Sequence, residues 1–169
     1  MIDQLLKWGA GLLALPYGKE IFVMFISMIP IVELRGGVPA AIALGIDPLK
    51  ALLICCIGNM IPVPFIIWFL TPIFAFLRKN RFFKSLVEKM ENKAEKSRRK
   101  RLNNLEFWAL FIFVAIPLPL PATGAWTGCL IVSVFNMDKK KSLLTVCGGI
   151  ITAGLIMLVT SLLVKGAFS

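Results

Sequence analysis

Four long apolar stretches, 20–46, 49–77, 107–135 and 143–164, alternate with polar, lysine-rich segments along the chain. A membrane's hydrocarbon core takes about 20 helical residues to cross, so the second and fourth stretches predict spanning helices. Pro62, Pro64 and Pro72 in the second predict a kink or tilt. The other two are interrupted halfway, by Pro30, Glu33, Arg35, Gly36, Gly37 and Pro39 in one and by Pro117, Pro119, Pro121, Thr123 and Gly124 in the other. Each divides into two arms that reach about half of a ~30 Å core at ~1.5 Å per residue. Such arms predict re-entrant helical hairpins; for 20–46 a broken full crossing is the alternative.

Between 82 and 105 the residues Phe82, Phe83, Leu86, Val87, Met90, Ala94, Leu102 and Leu105 recur mostly at intervals of three and four among basic residues. This spacing predicts a basic amphipathic helix on a membrane surface. Ile2, Leu5, Leu6, Gly9, Leu12 and Leu13 predict a shorter one before Pro16. The same order of parts occurs twice. Ile29-Pro30 matches Ile116-Pro117 and Gly37 matches Gly124 at an offset of 87; after a four-residue gap, Asp47, Lys50, Leu52, Leu53, Cys56 and Gly58 match Asp138, Lys141, Leu143, Leu144, Cys147 and Gly149 at 91. The chain therefore reads as one transmembrane domain, 1–169, with repeat 1 at 1–77 and repeat 2 at 82–164. Each repeat holds a surface helix, a hairpin and a spanning helix.

Composition removes water as the main solvent: 58% of the 169 residues are hydrophobic and the mean hydropathy is +0.84, against about 45–50% apolar residues in soluble domains. Eleven of the 19 Lys and Arg fall between Arg78 and Arg101, which sets topology rather than nucleic-acid binding. If loop 78–106 is cytoplasmic and 107–135 returns to its starting side, residues 138–141 are cytoplasmic too. The two hairpins then open from opposite faces, an inverted repeat in the cytoplasmic or inner membrane. There is no histidine, and the four cysteines sit in apolar segments without C-x-x-C spacing. That pattern predicts no metal, no cofactor and no enzyme active site.

Glu33 and Arg35 are the only charges between Glu20 and Asp47. At a hairpin tip near the bilayer middle, ionisable residues are costly and point to function. In an unwound tip their side chains can share one side and pair; Glu33 would then exchange a proton for a cation, or Arg35 hold an anionic head group, and the bland reading is mutual neutralisation. The second tip has Pro117, Pro119, Pro121, Thr123, Gly124 and Trp126, offering free carbonyls, hydroxyls and an indole to a substrate; Gly124 and Gly128 could equally form a packing face. Asn59 is a further candidate, with an interhelical hydrogen bond as the bland alternative.

The segments Ile29-Pro30-Ile31-Val32-Glu33-Leu34-Arg35-Gly36-Gly37-Val38-Pro39 and Pro117-Leu118-Pro119-Leu120-Pro121-Ala122-Thr123-Gly124 resemble the small multidrug export family of bacteria and archaea. More distantly, the arrangement is similar to DedA-type membrane proteins, with two opposed re-entrant hairpins and roles in lipid-carrier flipping and proton-dependent transport. Those carry an arginine in the second hairpin, whereas this chain has no charge between Glu106 and Asp138. Only Glu33 and Arg35 carry over as charged tip residues. The resemblance implies proton- or ion-coupled export of hydrophobic or cationic small molecules. Two alternatives stand beside it, a flippase for an anionic lipid carrier such as undecaprenyl phosphate and a non-transporting membrane scaffold. The partners called for are membrane lipids, a small-molecule or lipid substrate and a coupling proton or cation, with a homodimer admitted and nucleic acid excluded.

Overall fold

The computed structural model describes residues 16–77, 105–117, 124–135 and 137–167. Both expected surface helices, apart from Leu105, lie outside the described residues, as do loop 78–104 and Pro119, Pro121 and Thr123. Every element among the described residues is helical: α1 Gly18–Met28, α2 Glu33–Ala43, α3 Pro48–Met60, α4 Pro62–Leu77, α5 Leu105–Ala115, α6 Ala125–Val134 and α7 Lys139–Ala167.

Local chemistry sets these boundaries. Asp47 caps α3, its Oδ1 accepting from the amides of Leu49 and Lys50 at 3.0 and 3.2 Å, with Pro48 at the first position. Asp138 accepts from the Lys141 amide at 2.9 Å in the same way and starts α7. In 49–77 the regular helix breaks at Ile61, between α3 and α4, although its φ of −54° and ψ of −50° stay helical. Pro62 and Pro64 have no amide hydrogen, so the carbonyls of Gly58 and Met60 lose their intrahelical donors there.

Two helical stretches, Pro48–Leu70 and Lys139–Ala167, are long and apolar enough to cross a membrane. Helices α1, α2, α5 and α6 have 11, 11, 11 and 10 residues and reach only about 15–16 Å each at ~1.5 Å per residue. The long helices are apolar on their open faces. Leu49, Leu53 and Ile57 on α3 and Ile151, Leu155, Val159 and Leu163 on α7 form exposed rows of large side chains. Small or polar residues such as Ala51, Cys55 and Asn59 are buried instead. In water such rows would be an aggregation surface; in lipid they are the solvated face, and close packing of small residues takes over inside.

The chain forms two compact units, 1–61 with 150–169 and 62–149. In the first, α1, α2 and α3 pack on one another, and Gly154 of α7 fits against Leu52 and Cys56 of α3. In the second, α6 packs on α4 and α5, and Gly148 and Gly149 of α7 fit against Phe111 and Val114 of α5. Each unit thus holds one pair of short arms, the start of the spanning helix that follows it in the chain, and the end of the other spanning helix.

Contacts inside the units repeat residue for residue. A side chain on Gly58 would meet the carbonyl of Met24, and one on Gly149 the carbonyl of Phe111; one on Gly37 would meet Ser27 and Cys55, and one on Gly128 would meet Val114 and Val146. The Ile46 amide donates to the Ala41 carbonyl and the Met137 amide to the Val132 carbonyl, each at 3.0 Å. These pairs move the four-residue gap. Offset 87 holds for α1 and α5, and offset 91 already holds from the start of α2 and α6, so the extra residues lie inside the second tip, not after it. Gly37 therefore corresponds to Gly128, and Gly124 to Glu33. Identity of two glycines had suggested the other pairing; packing decides against it.

Candidate functional site

The first hairpin is tied at its open end. Lys50 Nζ lies 2.7 Å from Glu20 Oε1, and Lys19 Nζ donates to the Leu44 carbonyl at 3.0 Å. At the corresponding place in the second unit Lys141 sits 6.0 Å from the centre of the Phe107 ring. At the closed end the chain reverses over Ile29-Pro30-Ile31-Val32, where the amides of Val32 and Glu33 both donate to the Ile29 carbonyl. The unwound stretch ends before the charged pair. Glu33 and Arg35 occupy the first turn of α2, where positions two apart diverge around the helix, and this corrects the expected unwound tip that would set both on one side. Arg35 is half-buried and remains within electrostatic reach of Glu33.

Glu33 is 4% exposed and has φ of 50°. Its counterpart Gly124 is buried and has φ of 128°. Both hairpins therefore demand a positive φ where the descending arm begins. The second meets the demand with glycine at no steric cost, the first with a glutamate for which the left-handed region costs about 1–2 kcal/mol. A strained residue kept at such a place is a pointer to function. Gly37, by contrast, is a place of close approach, where a side chain would meet Ser27 and Cys55. Gly36 faces the Val32 side chain.

Asn59 belongs with Glu33. Helices α2 and α3 pack together and meet where Gly37 touches Cys55. Because α2 leads away from the tip and α3 back toward it, the next contact on the tip side pairs the residue four before Gly37 with the residue four after Cys55. On regular helices those positions would be Glu33 and Asn59, which are respectively 4% and 1% exposed. The expected interhelical hydrogen bond of Asn59 is not made. Neither its Oδ1 nor its Nδ2 has a partner among the described residues, although burying an unpaired amide costs about 1–3 kcal/mol.

In the second unit Gly124 and Trp126 open α6, and Pro117 is half-buried just past α5. Trp126 holds the position that matches Arg35 of the first unit. The first tip is polar and the second apolar at every one of these places. Sequence reading missed Ser27, which lies at the Gly37 contact and donates to the Val23 carbonyl at 2.9 Å. Its hydroxyl in an arm opposite a glycine was the available signal. It also missed Ser142, fully buried in the first turn of α7.

Residues 33–156 match the model of a family described as "putative small multi-drug export protein". No curated protein matches the chain, and no solved structure does.

Proposed function

The chain belongs to the small multi-drug export family, and from that premise we propose that it is a transporter of the cytoplasmic membrane that exports hydrophobic or cationic small molecules, coupled to a proton or another cation at Glu33. The observation that carries the reading is a buried, backbone-strained carboxylate at the reversal of a hairpin too short to cross. Four arms of half-membrane length, two tips and two spanning stretches fit a pair of re-entrant hairpins. The repeated contacts fit two copies of one unit, and the basic segments fit an inverted arrangement with residues 78–106 and 138–141 in the cytoplasm. Arg35, Gly36, Gly37 and Asn59 line the first tip in this reading. Pro117, Pro119, Pro121, Thr123, Gly124 and Trp126 form the second.

Flux into or out of liposomes containing the purified protein, with and without a proton gradient, tests the reading. Glu33→Gln is expected to abolish the pH dependence of export while the protein still inserts and folds. An unchanged rate and pH profile would reduce Glu33 to a partner of Arg35 and favour an anionic-lipid flippase centred on that arginine, or a scaffold if no flux occurs at all. Topology has its own check. Single cysteines near Arg98 and Lys140, in a background without the four native ones, are expected to resist impermeant reagents from outside. Outside labelling near Lys140 would mean that 107–135 crosses the membrane, and the inverted arrangement would fall.

A further inference from the structure

We infer that Glu33 and Asn59 hold a monovalent metal cation between them, an inference that rests on the transport reading and names its coupling ligand. The unpartnered amide is the first argument. Asn59 is buried with an acceptor oxygen and donor hydrogens both unused among the described residues, opposite a carboxylate whose oxygens complement the donors. A cation drawn to Asn59 Oδ1 and Glu33 brings the two side chains together and satisfies both ends of the amide.

The backbone supplies the second argument. Asn59 lies between Gly58 and Met60, whose carbonyls lack donors because Pro62 and Pro64 follow four residues later. These carbonyls stand at the carboxyl end of α3, just before the break in helical hydrogen bonding at Ile61, and carbonyls freed in interrupted helices coordinate Na⁺ or protons. One carboxylate, one amide oxygen and backbone carbonyls form a hard, oxygen-only set with a single negative charge. Divalent ions draw on several carboxylates, and no group of three His, Cys, Asp or Glu side chains gathers among the described residues. Arg35 leaves α2 on another side from the Glu33–Asn59 contact and competes with the ion for Glu33 through space. Binding and release of the cation would then alternate with Arg35 as the counter-charge.

The repeat provides the control. At the positions matching Glu33 and Asn59 it has Gly124 and Ile150, so Glu33→Gly and Asn59→Ile each install the residue that the chain itself uses at the matching position. Thermal unfolding of the purified full chain in detergent is measured in NaCl, KCl and choline chloride at one ionic strength. Wild type is expected to melt several degrees higher in at least one metal salt than in choline, with the shift rising as the logarithm of cation concentration. Both variants should melt in choline near wild type and show no such shift. Equal melting in all three salts, or an undiminished shift in either variant that folds, overturns the site. Export in choline medium driven by a proton gradient separates this from the transport reading. Flux there without any cation shift removes the site and leaves a proton-coupled transporter, whereas a cation shift lost in both variants, with no flux under any gradient, keeps the site and removes the transporter.

Discussion

Glu33→Gly is expected to abolish coupled export while leaving the protein as stable as wild type or slightly more so. Three effects decide the sign. Glycine adopts φ of 50° freely, which removes about 1–2 kcal/mol of left-handed strain. It also loses more backbone entropy on folding and weakens the first turn of α2, which costs about 0.5–1 kcal/mol. Deleting a carboxylate that is 4% exposed ends its desolvation, which offsets the loss of its attraction to Arg35. The two backbone effects sum to between zero and about 1.5 kcal/mol of gain. Glu33→Gln makes the telling comparison, because it removes the charge and keeps the strain. The glycine variant should melt at or above the glutamine variant, with neither showing pH-dependent flux. Melting of Glu33→Gly more than about 8 °C below wild type would correspond to over ~2 kcal/mol at ~2–4 °C per kcal/mol. That result would make the carboxylate a structural keystone and end the idea of stored strain.

How much of this was legible beforehand depends on the kind of signal. Prolines and glycines mark most of the helix breaks, because a missing amide hydrogen or side chain acts locally whatever surrounds it; the break between α6 and α7, Phe135-Asn136-Met137-Asp138, has neither. Thus Pro30 located the first tip, and Pro62 and Pro64 the junction of α3 with α4. Unbroken apolar length announced the two spanning helices. Pairing across the repeat was less legible. Ser27 and Val114 share a place in the packing without sharing chemistry, so residue identity put the gap on the wrong side of the second tip. Glutamate carries no sign of a left-handed backbone, and the strain at Glu33 became visible only as an angle beside that of Gly124. The orphaned amide of Asn59 is likewise a property of what surrounds it.

Alanine at Gly58 or Gly149 is expected to be the most destabilising single methyl in the described helices, by about 1–3 kcal/mol each, the range for overpacking a close-packed interior. A Cβ on Gly58 would stand 2.5 Å from the Met24 carbonyl oxygen and 3.2 Å from Met24 Cγ; on Gly149 it would stand 2.7 Å from Val114 Cβ and 3.3 Å from the Phe111 carbonyl oxygen. Backbone and Cβ atoms cannot rotate aside, so α1 must withdraw from α3, or α5 from α7. Gly128 is a milder case. Its new methyl would meet Val114 Cγ2 at 2.8 Å, a side-chain end that a rotamer change can move. Gly166 has nothing within 4 Å and sets the baseline, where alanine should gain slightly from its better helix propensity. Melting temperatures in one detergent should therefore fall in the order Gly166→Ala, Gly128→Ala, then Gly149→Ala and Gly58→Ala. The last pair should drop by about 2–12 °C at ~2–4 °C per kcal/mol. Because Gly58 adjoins Asn59, its variant should also lose export beyond what its stability explains, since moving α1 off α3 disturbs the helix that carries Asn59 up to Glu33. Gly58→Ala melting with Gly166→Ala would mean that the close approach of the two backbones at Met24 is not a feature of the folded protein.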